Sequence, residues 1–229
     1  MRVVIAGGHG QIALRLGRLL TGRGDEAVGL IRNPEHEDDL RGQGIEPILV
    51  DLEAATVDDL VLALEDADAT VFAAGAGPGS GTARKDTVDR GAAVLLADAA
   101  VQAGVRRLVL ISSMGVESVR DGATPEGVDE VFLAYLRAKL AAEEYIGALD
   151  LDATTVRPGR LTDERGTGRV TLGPQAQRGD IPRDDVASVV LALLDTPETA
   201  GAVLEVVGGD TPVDAAVEAV AQRGASSSA

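Results

Sequence analysis

Tyr135 and Lys139 stand four residues apart in Tyr135-Leu136-Arg137-Ala138-Lys139, a spacing that puts a phenol and an ammonium on one face of a helix. An ammonium one turn away lowers a phenol's pKa toward neutrality, which makes it a general acid for a carbonyl receiving a hydride. Composition sharpens the coincidence. The chain has two tyrosines, and its 21 basic residues divide into nineteen arginines and two lysines, Lys85 and Lys139. A lysine where this chain otherwise uses arginine points to a task that a guanidinium does not fill, such as hydrogen-bonding a nicotinamide ribose. Tyr145 has no lysine one turn away and is expected in the core.

A second constellation is Gly7-Gly8-His9-Gly10-Gln11-Ile12-Ala13, directly after the apolar run Val3-Val4-Ile5-Ala6. Glycines at a strand-to-helix turn let backbone N–H groups and the helix N-terminus approach a pyrophosphate, and a small residue three positions after Gly10 lets the helix lie close to the sheet. This predicts a dinucleotide site. His9 reads as a loop residue beside the phosphates, and with His36 the only other histidine and no cysteine, no metal site is expected. Cofactor choice is written at the end of the second strand, where a carboxylate would accept the ribose hydroxyls of NAD. Here Leu30-Ile31-Arg32-Asn33 has no acid before Glu35. Arg32 is suited to an adenine face and a 2′-phosphate, so NADP(H) is expected in preference to NAD(H), which stays possible. Asp51 either accepts from the adenine amino group or caps the helix that begins in the mid-fifties. The small residues Ala73-Ala74-Gly75-Ala76-Gly77 close a further strand and suit a backbone pressed against a ligand.

The elements that position these groups follow from apolar periodicity. Short runs rich in β-branched residues (3–6, 27–31, 48–50, 69–73, 108–111, 153–156 and about 202–207) alternate with helical patterns over roughly 10–22, 56–65, 84–103, 129–148, 184–194 and 212–222. Gly104 should end the third helix. Continuously apolar strands require cover on both faces, so the expectation is an α/β fold: a doubly wound, mostly parallel Rossmann-type sheet with helices on both faces. One domain over 1–223 is expected, with a small substrate-facing lobe about 160–183 in a polar, glycine-rich stretch and a disordered tail over 224–229. The substrate itself is an unidentified small molecule.

Composition excludes other classes. The 229 residues are 45% hydrophobic and 25% charged, enough for one substantial core. Apolar stretches reach five or six residues against the ~20 that span a bilayer. The run after Arg2 stops at glycine by residue 7, which leaves no signal-peptide core, so a cytoplasmic chain with no membrane contact is expected. A net charge of −16, with 37 acidic residues, argues against nucleic acid as a partner. An acidic chain that binds an anionic cofactor must concentrate positive potential locally, at the glycine-loop helix, Arg32 and Lys139.

Taken together, the glycine turn at 7–13, Arg32, Asp51-Leu52, Ala73-Ala74-Gly75, Val88-Asp89-Arg90-Gly91, Ile111-Ser112-Ser113, Tyr135 with Lys139, and Val156-Arg157-Pro158-Gly159 through Leu161 resemble the short-chain dehydrogenase/reductase superfamily. The nearest likeness is its atypical NAD(P)H-binding branch, which holds NmrA-like sensors, biliverdin/flavin reductases and proteins named as sugar epimerases. The resemblance implies a cofactor across the strand ends. It implies Lys139 on the ribose, Tyr135 near the nicotinamide, Pro158, Gly159 and Leu161 beside the nicotinamide ring, and Ala74, Gly75 and Ala76 along the cofactor. Asp89 looks like a buried acid that braces its helix against neighbouring backbone. Arg157 and Arg160 either meet an anionic ligand or pair with Asp163 and Glu164. In the superfamily a substrate-polarising hydroxyl often sits third in the serine run, where this chain has Met114 after Ser112-Ser113. Either Ser113 substitutes or the hydroxyl is absent. The implied function is an NADP(H)-dependent oxidoreductase acting on a small carbonyl, quinone or flavin-like acceptor. A non-catalytic NADP(H) sensor with a protein partner is the alternative, ahead of a nucleotide-sugar epimerase or dehydratase.

Overall fold

Alternation along each strand decides where the core lies. In β1 (Arg2–Ala6) the side chains of Val3 and Ile5 enter one apolar cluster, and those of Val4 and Ala6 enter another on the opposite face. The same split runs through the neighbouring strands, so the sheet is buried on both sides, as continuously apolar strands require. The computed structural model describes residues 1–77 and 79–227.

In chain order the elements are β1, α1 (Gln11–Gly22), β2 (Glu26–Ile31), α2 (Glu37–Arg41), β3 (Glu46–Leu49), α3 (Val57–Ala63), β4 (Ala69–Phe72) and α4 (Thr82–Arg84). A π-helical stretch (Lys85–Ala92) joins α4 to α5 (Ala93–Ala103). There follow β5 (Arg107–Ile111), α6 (Glu130–Gly147), β6 (Asp152–Pro158), β7 (Arg160–Thr162), β8 (Arg169–Gly173), β9 (Asp180–Pro182), α7 (Arg183–Leu194), β10 (Val203–Gly208), β11 (Thr211–Pro212) and α8 (Val213–Ser227). Short 3-10 turns cover Pro34–His36, Val116–Gly122 and Pro197–Thr199. The main sheet has the order β11-β8-β10-β6-β5-β4-β1-β2-β3. It is parallel from β3 through β10, with β8 antiparallel to both β10 and β11. One face packs on α1, α7 and α8 through residues such as Leu16, Val190 and Val217. The other packs on α3, α5 and α6 through Leu60, Leu96 and Ile146.

The chain moves outward from β1 to β3, then crosses back to place β4 on β1's other side. Strand order therefore reverses between β1 and β4, and ligands of open α/β sheets bind in the crevice at such a point. The expected helices and strands agree with those observed to within a few residues, and Gly104 ends α5 in the left-handed conformation at φ +74°. Two expectations change. The 160–183 stretch contributes β8 to the main sheet and forms a two-stranded parallel pair of β7 with β9, because backbone pairing organises a segment whose side chains show no period. The last helix continues past residue 222 to Ser227, so the tail expected to be disordered is helical that far, and residues 228 and 229 lie outside the described residues. Among the described residues no helix is long and apolar enough to cross a membrane.

Candidate active site

The turn after β1 is built by close backbone approach. Gly7 has φ +81°, and a Cβ there would stand 2.7 Å from Ala74 Cα, in the segment leaving β4. Gly8 lies against β2, where a Cβ would come within 2.5 Å of Gly29 Cα and where its N–H donates to the Leu30 carbonyl at 2.9 Å. Its role is to seat the turn on the sheet. Gly10 is the N-cap of α1 and provides no side-chain cap, the first helical turn has no acid, and Ala13 is fully buried. Orphan N–H groups and the positive end of the helix dipole therefore face the crevice without a competing anion. Gly7, His9 and Gly10 line a cavity of about 330 Å³ at this point. Glycines a side chain would block, and a helix terminus free to meet a phosphate, fit a dinucleotide. Gln11 is turned to its own helix, where its Oε1 accepts from Arg15 Nη1 at 2.8 Å.

The same cavity is lined by Arg32, Asp51 and Leu52, which the sequence named, and by three residues it did not assign: His36, Glu53 and Arg84. Glu53 lies between two guanidiniums, at 3.3 Å from Arg32 Nη1 and 2.6 Å from Arg84 Nη2, and also accepts from Thr87 Oγ1 at 2.7 Å. The Arg84 hydrogen bond, followed by that of Thr87, holds its carboxyl below the usual range. These partners come from separate loops, and no spacing in the sequence announces them. His9 stacks on His36 with ring centroids 3.6 Å apart, and its Nε2 lies 3.0 Å from Asp39 Oδ2. Asp51 does not cap α3. Thr56 does, in a capping box with Asp59, while Asp51 Oδ1 accepts from the Glu53 amide at 3.1 Å.

A second cavity, of about 560 Å³, shares Ala73–Ala76 with the first and holds the expected chemistry. Ile12, Ser113, Tyr135, Lys139, Pro158, Gly159 and Leu161 all line it. Lys139 is 4% exposed. Its Nζ donates to the Ile111 carbonyl at 3.1 Å and to that of Ala74 at 3.4 Å, and lies 3.3 Å from Asp89 Oδ1. Asp89 is fully buried, and its Oδ2 accepts from the Ala76 amide at 3.3 Å. It thus braces the glycine-rich segment, as expected, and also provides the lysine's counter-ion. Burial pushes the Lys139 ammonium below its ordinary range, with Asp89 opposing.

The phenol corrects an expectation. Burial pushes the Tyr135 pKa up, a hydrogen bond with Ser113 opposes the rise, and the Asp89 charge adds to it. Lys139 Nζ is 6.0 Å from the ring centroid, and its charge is engaged by Asp89. The phenol is therefore held in its protonated form, as a proton donor needs, without being activated toward neutrality. Of the serine run, Ser112 and Ser113 both line the cavity, and the Ser113 hydroxyl donates to the Met114 carbonyl at 3.1 Å. Met114 is absent from that lining and binds through its backbone, donating to the Pro158 carbonyl at 3.1 Å.

Three further readings change. Arg157 pairs with neither Asp163 nor Glu164: it is buried against Glu143 and also pairs with Glu117 at 2.7 Å, while Ser112 donates to Glu143 as well. Arg160 pairs with Asp180 at the exposed start of the β7–β9 pair, and Asp163 pairs with Arg183 at 2.9 Å. Tyr145 is 40% exposed and donates to Asp98 at 2.7 Å instead of entering the core. The cavity also holds Lys85 and Phe132, which sequence reading left unassigned. Their rarity in this chain was the one signal available.

Comparison with known proteins agrees with this geometry. A family model described as NAD(P)H-binding matches residues 7–197. An uncharacterized sugar epimerase of Bacillus subtilis, YhfK, is 32% identical over 219 residues, covering 95% of this chain and 99% of that protein. Among solved structures, a Bacillus halodurans protein provisionally named an NAD-dependent epimerase/dehydratase superimposes with a TM-score of 0.86 at 34% identity, covering 96% of this chain and 99% of that one. An anaerobillin reductase from Escherichia coli O157:H7 has a TM-score of 0.77 at 23% identity, over 92% and 98% of the two chains, and shares the fold. With the switch-point crevice, the glycine turn and a matched region spanning most of its length, the chain belongs to the NAD(P)H-binding family.

Proposed function

We propose that this protein is an NADP(H)-dependent reductase of the atypical short-chain dehydrogenase/reductase type, acting on a small carbonyl, quinone or flavin-like acceptor. The observation that carries the reading is the convergence of Ser113, Tyr135 and Lys139 on one cavity that is continuous with the glycine-turn crevice. A nicotinamide cofactor, when bound, supplies the hydride. The chain's own residues handle the proton and the positioning. Tyr135 keeps its proton because it is buried and delivers it to the acceptor oxygen, so that a C=O gaining a hydride at carbon leaves as an alcohol. The Ser113 O–H, which donates to the Met114 carbonyl at 3.1 Å, turns its one proton to that same acceptor oxygen when an acceptor binds. Lys139, paired with Asp89, lines the same cavity and is the ammonium that holds the ribose once it exchanges a backbone carbonyl for it.

Preference for NADP(H) is supported by Arg32 and Arg84, two guanidiniums that meet at the ribose end and are suited to a 2′-phosphate. The sensor alternative rests on Met114 in the serine run and on the small C-terminal lobe; the hydroxyls of Ser113 and Tyr135 on one cavity with Lys139 favour the reductase. The test is NADPH oxidation against aldehydes, quinones and flavins, with wild type beside Tyr135→Phe. The expected loss in kcat is about 10²–10⁴-fold. Equal turnover by the variant, or none by wild type with any acceptor, overturns the reading.

A further inference from the structure

Both lysines of a chain that uses arginine almost everywhere else converge on one tyrosine. Lys139 Nζ lies 6.0 Å, and Lys85 Nζ 5.4 Å, from the Tyr135 ring centroid. They differ in their counter-ions. Lys139 has Asp89 at 3.3 Å. Lys85 is 8% exposed, lines the same cavity, and among the described residues its ammonium makes one hydrogen bond, to the Gly77 carbonyl at 2.9 Å, and pairs with no carboxylate. Asp129, another carboxylate of the cavity wall, is engaged by the start of α6, where Oδ1 accepts from the Val131 and Phe132 amides at 2.9 and 3.1 Å. A buried ammonium with one neutral acceptor has unmet donors and an uncompensated charge, and both are costly unless something arrives to satisfy them.

Phe132 stands at the same cavity. It is 48% exposed, and its ring stacks on Tyr135 with centroids 5.7 Å apart and 25° between planes. An exposed ring continuing a half-buried one extends the aromatic wall outward from the proton donor, which suits a flat conjugated molecule. The glycine turn that would take the cofactor's pyrophosphate belongs to the other cavity, and Lys85 does not line that one.

We infer that Lys85 is the anion anchor of the acceptor site: the acceptor is a planar conjugated compound bearing a carboxylate or phosphate, which pairs with Lys85 Nζ while its ring lies on Phe132. The inference rests on the reductase reading above. In it, Lys85 fixes the acceptor's distance from the Tyr135 hydroxyl, and neutral analogues bind less well.

The experiment compares matched acceptors, benzaldehyde with para-carboxybenzaldehyde and riboflavin with FMN, in wild type, Lys85→Met and Lys85→Arg. Methionine keeps the apolar stem, and a thermal melt of each variant controls for folding. Wild type is expected to favour the anionic member of at least one pair by about tenfold or more in kcat/KM, the size of a charge-assisted hydrogen bond. Lys85→Met should bring that ratio close to one, and Lys85→Arg should retain most of it. The pair that responds tells carboxylate from phosphate. Calorimetric titration of the NADP+-loaded protein with para-carboxybenzaldehyde and with FMN provides a readout independent of turnover. Binding that depends on Lys85 without turnover keeps the anchor and removes the reductase reading. The anchor itself is overturned by turnover with no anionic preference, by a preference that survives in Lys85→Met, by an equal loss of NADPH affinity in Lys85→Met, or by an absence of both binding and turnover with every anionic probe.

Discussion

The Arg32–Glu53–Arg84 cluster offers the most direct way to test cofactor choice. A 2′-phosphate at this end of the crevice would exchange the arginines' bonds to Glu53 for bonds to phosphate. Arg32 and Arg84 have side chains 57% and 39% exposed, so solvent screens each contact and places it at the weak end of charge-assisted pairing. Each of Arg32→Ala and Arg84→Ala is therefore expected to weaken NADPH by about tenfold while changing NADH by less than about threefold. The double variant should fall short of the product of the two, because both arginines share Glu53 and sites with a common partner are not additive. Glu53→Gln is the sign test. Removing a negative charge between the guanidiniums eliminates repulsion against an incoming phosphate, so NADPH affinity should rise and the NADPH-to-NADH ratio should widen. Calorimetry or quenching of nicotinamide fluorescence at fixed ionic strength measures all four proteins. Equal losses for the two cofactors in both arginine variants, or a Glu53→Gln protein that shifts toward NADH, would refute the reasoning.

Other expectations come from the same geometry. Gly7→Ala puts a Cβ 2.7 Å from Ala74 Cα at φ +81°, which costs about 1–2 kcal/mol for the left-handed backbone alone. A lowered melting temperature together with lost cofactor binding is expected, and a fully active variant would contradict the close approach. Glu143→Ala leaves Arg157, whose side chain is 6% exposed, with Glu117 as its remaining carboxylate. The cost is about 3 kcal/mol, or about 6–12 °C in melting temperature for a chain of this size, whereas Arg160→Ala, which removes an exposed ion pair with Asp180, should leave melting unchanged. For pH, burial moves Lys139 below its ordinary 10.5 and Tyr135 above its ordinary 10.0, so loss of the lysine charge is displaced to lower pH. The alkaline limb of kcat/KM should thus fall below pH 10.5, and Asp89→Asn, which removes a charge that raises both groups, should move it to lower pH. A limb that stays in place or moves upward in that variant would count against Asp89 as the lysine's counter-ion.

Much of this protein is decided by local chemistry. Short β-branched runs between helical periods dictate a sheet covered on both faces. A glycine turn between strand and helix dictates a phosphate-sized gap, and a lysine four residues after a tyrosine dictates one shared helical face. Those signals lie within a few residues of one another, so the sequence alone pointed to the Rossmann-type fold, the crevice and the Tyr135–Lys139 pair, and left Ser113 open. Contacts that join distant segments were decided by tertiary structure. Glu53 meets Arg32 and Arg84 because β4 folds back beside β1 and brings the ends of β2 and β3 and the helix α4 to one end of the crevice. Arg157 is consumed by Glu143 because β6 lies beneath α6. Lys85 reaches Tyr135 because the π-helical stretch packs against α6. The direction of the Tyr135 shift belongs to the same class. Sequence spacing shows that a cation is near, but burial and the position of Asp89 set the phenol's proton affinity, and both exist only once the chain has closed around them.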